Sequence, residues 1–140
     1  AQVPHGPDGK LTFADPNEFY QGDWVMGKKE GLGHKMNADG SNYKGEYKDD
    51  KPHGKGNYIW SAQEKYEGQW SFGFFHGQGV KTSADGTRYD GEWCDGLPHG
   101  AGECVYADGS RYKGQWRNGQ PHGDAGIKWN TDGSKFVGQW

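Results

Sequence analysis

The chain has 140 residues, a formal net charge of −3, and 26 glycines beside seven Trp, eight Tyr and six Phe. Leu, Ile, Val and Phe together number only 16, so a thick two-layer aliphatic core is excluded and the apolar surface must sit on large rings separated by residues without side chains. The slightly acidic balance argues against a general nucleic-acid binder, which carries a basic stripe, and weakens electrostatic attachment to acidic membranes.

Residues 1–19 fit no strict pattern. His5-Gly6-Pro7-Asp8-Gly9 nevertheless resembles His122-Gly123-Asp124-Ala125-Gly126, and reads as the tail of a degenerate upstream unit. From Tyr20 onward a unit of 23 residues recurs, opened by Tyr20, Tyr43, Tyr66, Tyr89 and Tyr112, with Phe136 following the last at 24. Two residues after each opening ring lie Gly22, Gly45, Gly68, Gly91, Gly114 and Gly138. Two further lie Trp24, Tyr47, Trp70, Trp93, Trp116 and Trp140. A turn region follows at Gly27, Gly73, Gly96 and Gly119. Next comes a histidine column at His53, His76, His99 and His122, with Glu30 in its place in the first unit. Each unit closes on Asp-Gly, at 39–40, 85–86, 108–109 and 132–133, except the second, which has Ala62-Gln63. The units run 20–42, 43–65, 66–88, 89–111 and 112–135, and a sixth opens at 136–140.

Tyr, Gly and Trp at alternate positions place the rings on one face of a strand and the intervening polar residues on the other. A second strand follows the His-Gly segment and carries Met36, Ile59, Thr82, Val105 and Trp129. The closing Asp-Gly suits a type I′ turn, with positive φ at both central residues. Each unit is then a hairpin about 10 Å wide, and five make a ribbon roughly 50 Å long. Rings from neighbouring strands are expected to fill the gap at the central glycine, and stability should behave as nearest-neighbour coupling. The fold class is therefore all-β, a single-layer antiparallel sheet of tandem hairpins.

Residues 89–102, Tyr-Asp-Gly-Glu-Trp-Cys-Asp-Gly-Leu-Pro-His-Gly-Ala-Gly, are the cleanest copy. They resemble the MORN repeat (membrane occupation and recognition nexus), whose pattern is Tyr-x-Gly-x-Trp-x-x-Gly-x-x-His-Gly-x-Gly. Five copies in phase make the resemblance specific. It departs at Glu30, Tyr47, Asp50 and Ala62-Gln63, and at one extra residue between His122 and Gly126. The resemblance implies a non-catalytic interaction scaffold. Chains composed mostly of such units are most like the cytoskeletal and ciliary members, radial-spoke head proteins among them. Rival readings are a membrane or phosphoinositide-associating module and a regulatory segment of a larger enzyme.

Candidate residues divide into structural and partner-facing sets. Tyr20, Tyr43, Tyr66, Tyr89 and Tyr112, with Gly22, Gly45, Gly68, Gly91 and Gly114, define the repeat. His53, His76, His99 and His122 lie about 10 Å apart from unit to unit, too far to converge on one ion, so each is read as packing and hydrogen-bonding at its hairpin turn. His5 and His34 are the more exposed candidates for accidental metal binding. Trp60, Phe72, Phe74 and Phe75 are not demanded by the repeat and are the first choices for partner contact. The ladder rings Trp24, Trp70, Trp93 and Trp116 follow, as core that also presents a groove. The expected partner is a protein helix or extended segment in that groove, with self-association through the array ends as a further possibility.

Cys94 and Cys104 lie on opposite strands of one hairpin and are read as structural thiols in a reducing, intracellular setting. No stretch has the length of a membrane span or the form of a signal peptide. Neither a phosphate loop nor a Ser-His-Asp arrangement accompanies the glycines, so no metal, cofactor or catalytic residue is expected.

Overall fold

The computed structural model describes residues 5–140; the first four residues of the 1–19 segment lie outside them. Twelve strands follow one another: β1 Gly6–Thr12, β2 Phe19–Val25, β3 Lys28–Met36, β4 Asn42–Lys48, β5 Lys51–Ile59, β6 Lys65–Ser71, β7 Phe74–Thr82, β8 Arg88–Cys94, β9 Leu97–Val105, β10 Arg111–Arg117, β11 Gln120–Trp129 and β12 Lys135–Gly138. They form one antiparallel sheet in sequence order, open at β1 and β12. The all-β, single-layer reading holds. The five second-strand markers Met36, Ile59, Thr82, Val105 and Trp129 are each the last residue of their strand.

Period-two alternation sets the faces. In β2 the buried residues are Tyr20, Gly22 and Trp24, and in β8 they are Tyr89, Gly91 and Trp93. A row of glycines crosses the sheet at right angles to the strands. Gly9 faces Gly22, which faces Gly33, then Gly45, Gly56, Gly68, Gly79, Gly91, Gly102 and Gly114 in turn. The ring that covers each pair within a unit, Gly22–Gly33 to Gly91–Gly102, belongs to the tyrosine two residues upstream of the first glycine; at Gly9 it is Trp24. A Cβ at Gly102 would sit 2.5 Å from Tyr89 Cζ and closer still to its hydroxyl. The expectation of rings arriving from neighbouring strands is corrected at the central glycines: a Cβ at Gly22 would meet the facing backbone first, at Gly33 Cα and Leu32 O, and then the strand's own Tyr20 hydroxyl at 2.6 Å. At the facing glycines, such as Gly33 and Gly102, the ring does come from the adjacent strand.

The type I′ geometry expected at the closing Asp-Gly is found at the other turn. The turn inside each unit is the type I′ one, with positive φ at both central residues: Met26-Gly27 (50° and 80°), Asp49-Asp50 (49° and 67°), Phe72-Gly73 (43° and 90°), Asp95-Gly96 (48° and 86°) and Asn118-Gly119 (49° and 83°). At the closing Asp-Gly only the glycine is left-handed, as at Gly40 (90°) and Gly109 (90°). There Gly40 N donates to Asn37 O and Asn37 N to Ser41 O, a type I turn followed by a bulged glycine. The aspartate is kept out of the left-handed region because its carboxylate has another task. Asp39 Oδ1 accepts from Ser41 N at 2.9 Å and from Ser41 Oγ at 2.6 Å, and Asp108 and Asp132 repeat this with Ser110 and Ser134. Asp85 accepts from Thr87 N at 2.9 Å. In the second unit, which lacks Asp-Gly, Ser61 Oγ accepts from Gln63 N and Glu64 N instead.

These bonds hold the carboxyls of Asp39, Asp108 and Asp132 below the usual 3.8, chiefly through the serine hydroxyl, and that of Asp85 chiefly through the Thr87 amide. A lowered carboxyl favours the fold when ionised. Its contribution is therefore complete above the unfolded value and lost as pH falls through the lowered one. Thermal melts taken from neutrality into acid should show stability falling below about pH 4, with a smaller drop when Asp108 and Asp132 are both changed to Asn. An equal drop in the double variant would remove these turns from the account.

Candidate interaction face

One face of the sheet carries a continuous chain of rings set edge to face. Within units Tyr20 meets Trp24 at 5.0 Å between centroids, Tyr43 meets Tyr47 at 5.1 Å, and Tyr66 meets Trp70 at 5.1 Å. Between units Tyr20 meets Tyr47 at 5.2 Å, Tyr43 meets Trp70 at 5.3 Å, Tyr66 meets Trp93 at 5.5 Å, and Tyr89 meets Trp116 at 5.1 Å. This is the favourable quadrupolar arrangement, and it couples each unit to the next. Hydrogen bonds fix the opening tyrosines and the four tryptophans. Tyrosine hydroxyls donate to the carbonyl three residues on, as Tyr66 to Gln69 at 2.7 Å. Indole Nε1 atoms reach the preceding unit: Trp24 to Gly9, Trp70 to Gly56, Trp93 to Gly79 and Trp116 to Gly102, each at 3.0 Å. Gly9 of β1 thus serves Trp24 as Gly56 serves Trp70.

Tyr47 stands where the other units have Trp and has no indole N–H to give Gly33. Tyr47→Trp should restore that bond and raise stability by about 1 kcal/mol in chemical denaturation. A neutral or negative change would mean that the pocket cannot take the larger ring. Burial pushes the tyrosine hydroxyls up, Tyr20 to about 12 and Tyr43, Tyr66 and Tyr89 further. The neutral form is the one that fits the fold, so stability is lost as pH rises above the ordinary value of 10.0. In an alkaline titration the phenolate absorbance should appear together with loss of the sheet.

The acceptor between each central Gly and Trp escapes a reading based on hydrophobic pattern alone. Asp23, Glu46, Gln69 and Glu92 accept from the backbone N–H of Leu32, Lys55, Gln78 and Ala101 respectively, at 3.2, 2.5, 2.8 and 2.6 Å. Each fills the bulge that Gly31, Gly54, Gly77 or Gly100 opens in the facing strand by its positive φ. The signal was present in the sequence as a column of Asp, Glu, Gln, Glu and Gln115.

The histidine column lies at the hairpin tips. His53 Nδ1 accepts from Phe72 N at 3.2 Å, and His5 Nδ1 accepts from Met26 N at 3.3 Å. Glu30 takes over the same duty for Asp49 N at 3.0 Å. The turn-bonding role expected of every histidine in the column is met only at His53, toward the turn of the following unit, and the departure at Glu30 preserves it; among the described residues His76, His99 and His122 accept no turn amide. His34, expected to be more exposed than the column, is half-buried and lies edge-on to Phe19 at 5.7 Å, whereas His76, His99 and His122 are exposed. Cys104 is buried in the ring face, and burial pushes its thiol up; Cys94 is exposed, so a structural reading fits only the first.

The outlying aromatics fall into two groups. Phe75 and Trp60 join the ladder. Phe75 stacks on Tyr66 at 4.0 Å and meets Trp70 at 4.9 Å and Trp93 at 5.2 Å, while Trp60 lies 4.6 Å from Tyr58 and 5.9 Å from Phe75. Phe72 and Phe74 sit at a hairpin tip and are exposed. The Phe72 ring rests on His53 at 4.5 Å. Trp24, Trp70, Trp93 and Trp116 are 5–6% exposed and serve first as core.

Beside Phe75 the ring face opens into a cleft of about 460 Å³, lined by Phe75, Trp93, Leu97, Pro98, Tyr106 and Trp116 among others. Leu97 on its rim is 48% exposed. A depression of about 580 Å³ lies on the polar face, where Arg88 pairs with Asp90 at 3.9 Å. Filling it would desolvate charged groups, so the apolar cleft is the better docking candidate.

A family model for the MORN repeat matches residues 20–42, 43–63, 66–88, 89–111 and 112–123. The chain belongs to the MORN-repeat family. No curated protein matches it. The last MORN match stops at Gly123, just before the extra residue that lengthens β11 to ten residues where β9 has nine. MORN repeats are units of protein and lipid interaction, and the repeat is not a catalytic motif. Among the described residues no helix is long and apolar enough to cross a membrane.

Proposed function

We propose that this MORN array is a non-catalytic scaffold that holds a protein segment against its ring face, within a cytoskeletal or ciliary assembly. The observation that carries the reading is the open apolar cleft between Phe75 and Trp116, where ladder rings and exposed Leu97 line a shared hollow. Its apolar lining suits a helix laid in the groove or an extended strand. The cytoskeletal and ciliary setting rests on likeness to chains built mainly of MORN units. Lipid binding ranks second because exposed cations are interleaved with acids: Lys28 lies 4.0 Å from Asp49, Lys65 3.6 Å from Glu67 and Arg111 3.4 Å from Glu103.

The test is a photo-crosslinking side chain at position 97, compared with the same group at position 90 on the polar face. Capture of one defined axonemal or cytoskeletal protein from position 97, absent at 90 and abolished by Tyr106→Asp in a chain that still folds, supports the groove. Equal capture at both positions, or vesicle binding at low salt with no protein captured, replaces it with another surface or with lipid.

A further inference from the structure

We propose that the hairpin tip of the third unit and the turn of the fourth form a binding site for a zinc-class divalent ion, held by His76, Cys94 and Asp95. One donor atom from each, a ring nitrogen, a thiol sulfur and a carboxylate oxygen, all lie within 4.8 Å of one another. Tetrahedral zinc with bonds of about 2.0–2.3 Å sets its donors about 3.5 Å apart, so side-chain rotation of roughly 1 Å closes the set. The backbone explains the convergence. His76 is in β7 and Cys94 ends β8, its paired neighbour. Asp95 takes φ 48° as the first residue of the type I′ turn. That ends the strand alternation which would otherwise send consecutive side chains to opposite faces.

The same three places recur at every unit junction, and only this one carries three donors. They are filled by His53, Ser71 and Phe72 at the junction before, and by His99, Arg117 and Asn118 at the junction after. At the earlier junction the histidine is engaged by the turn amide, Phe72 N to His53 Nδ1. Among the described residues His76 receives no such bond from Asp95. The donor set selects the ion. A thiolate with an imidazole favours zinc over calcium or magnesium, which take oxygen ligands. On binding, the Cys94 S–H bond breaks, its proton leaves to solvent, and a metal–sulfur bond forms. The thiolate and carboxylate then neutralise the 2+ charge, and water completes the fourth position. The ion would staple two adjacent units at their tips, so it would stabilise the array by binding the folded form.

The experiment titrates the full chain with Co²⁺, then with Zn²⁺ in competition, under reducing conditions. The expected result is one ion per chain, a thiolate-to-cobalt charge-transfer band in the near ultraviolet that Zn²⁺ abolishes, and a rise in Tm reversed by chelator. Cys94→Ser should abolish the band. His76→Gln should weaken binding at least ~10-fold, the loss that removing even a supporting partner brings at metal sites. His99→Gln, one unit on, should leave both unchanged. All three variants lie at exposed positions, and their unliganded melts establish that they fold. No charge-transfer band, a band that survives Cys94→Ser, equal losses in His76→Gln and His99→Gln, or half an ion per chain would each overturn the site.

Discussion

Gly102→Ala is expected to lower stability by about 3 kcal/mol or more, beyond the usual range for an added methyl, because the neighbours have nowhere to move. The new Cβ would lie 2.5 Å from Tyr89 Cζ and 2.7 Å from Cε2. Tyr89 is 5% exposed, its hydroxyl donates to Glu92 O at 2.8 Å, and its ring is held edge-on by Trp93 and Trp116. Moving it breaks the coupling of the fourth unit to the fifth. The comparison is Gly109→Ala, where a Cβ meets nothing within 4 Å and only the positive φ of 90° opposes it. That cost should be about 1–2 kcal/mol. Urea melts of both variants check the order. If Gly109→Ala proves the more harmful, turn strain and not the packing of tyrosine on glycine governs the array.

Trp93→Ala should cost about 3–5 kcal/mol and also change the form of the transition. Trp93 is 5% exposed, and its indole bonds Gly79 O in the preceding unit. Its ring lies between Tyr66 and Tyr89 in the edge-to-face chain. Removing a link near the middle of a one-dimensional array separates the halves, since each unit contacts only its neighbours. The parent should melt in a single transition. The variant should melt in two, with amide exchange fastest in β7 and β8. Trp93→Phe keeps much of the ring and loses the hydrogen bond, so it should cost about 1–3 kcal/mol and remain a single transition. Two transitions in the parent as well would show that the ring chain is not what couples the units.

Most of the fold was legible because the repeat is both periodic and alternating. Tyr, Gly and Trp at alternate positions fix the strands, their faces and the register, and a slip of one residue would turn every ring to water. The turns were less legible. Asp95-Gly96 and Asp108-Gly109 are the same dipeptide, yet the first makes a two-residue turn and the second a three-residue loop. The deciding feature is two residues past the aspartate, where Ser110 offers a hydroxyl and an amide to the carboxylate and Leu97 does not.

The ring face was legible as a ladder. Its cleft was not, because Phe75 replaces the Pro found at 52, 98 and 121 and turns inward onto Tyr66. The roles of His76, Cys94 and Asp95 were harder still. Reading them together needs the pairing of β7 with β8 and the left-handed φ of Asp95, neither of which a residue pattern states.

Because the twelve strands lie in chain order, β1 and β12 are opposite edges of the sheet. A pull applied through these two edges runs across the strands, along the ladder hydrogen bonds. Such a load opens the bonds at an edge one after another and never shears a whole strand at once. Each unit of 23 residues holds about 80 Å of contour when extended yet occupies only about 10 Å of ribbon. A tethered array would therefore lengthen by about 70 Å per unit released, at low force and in countable steps, and would act as a graded spring between whatever its two edges hold.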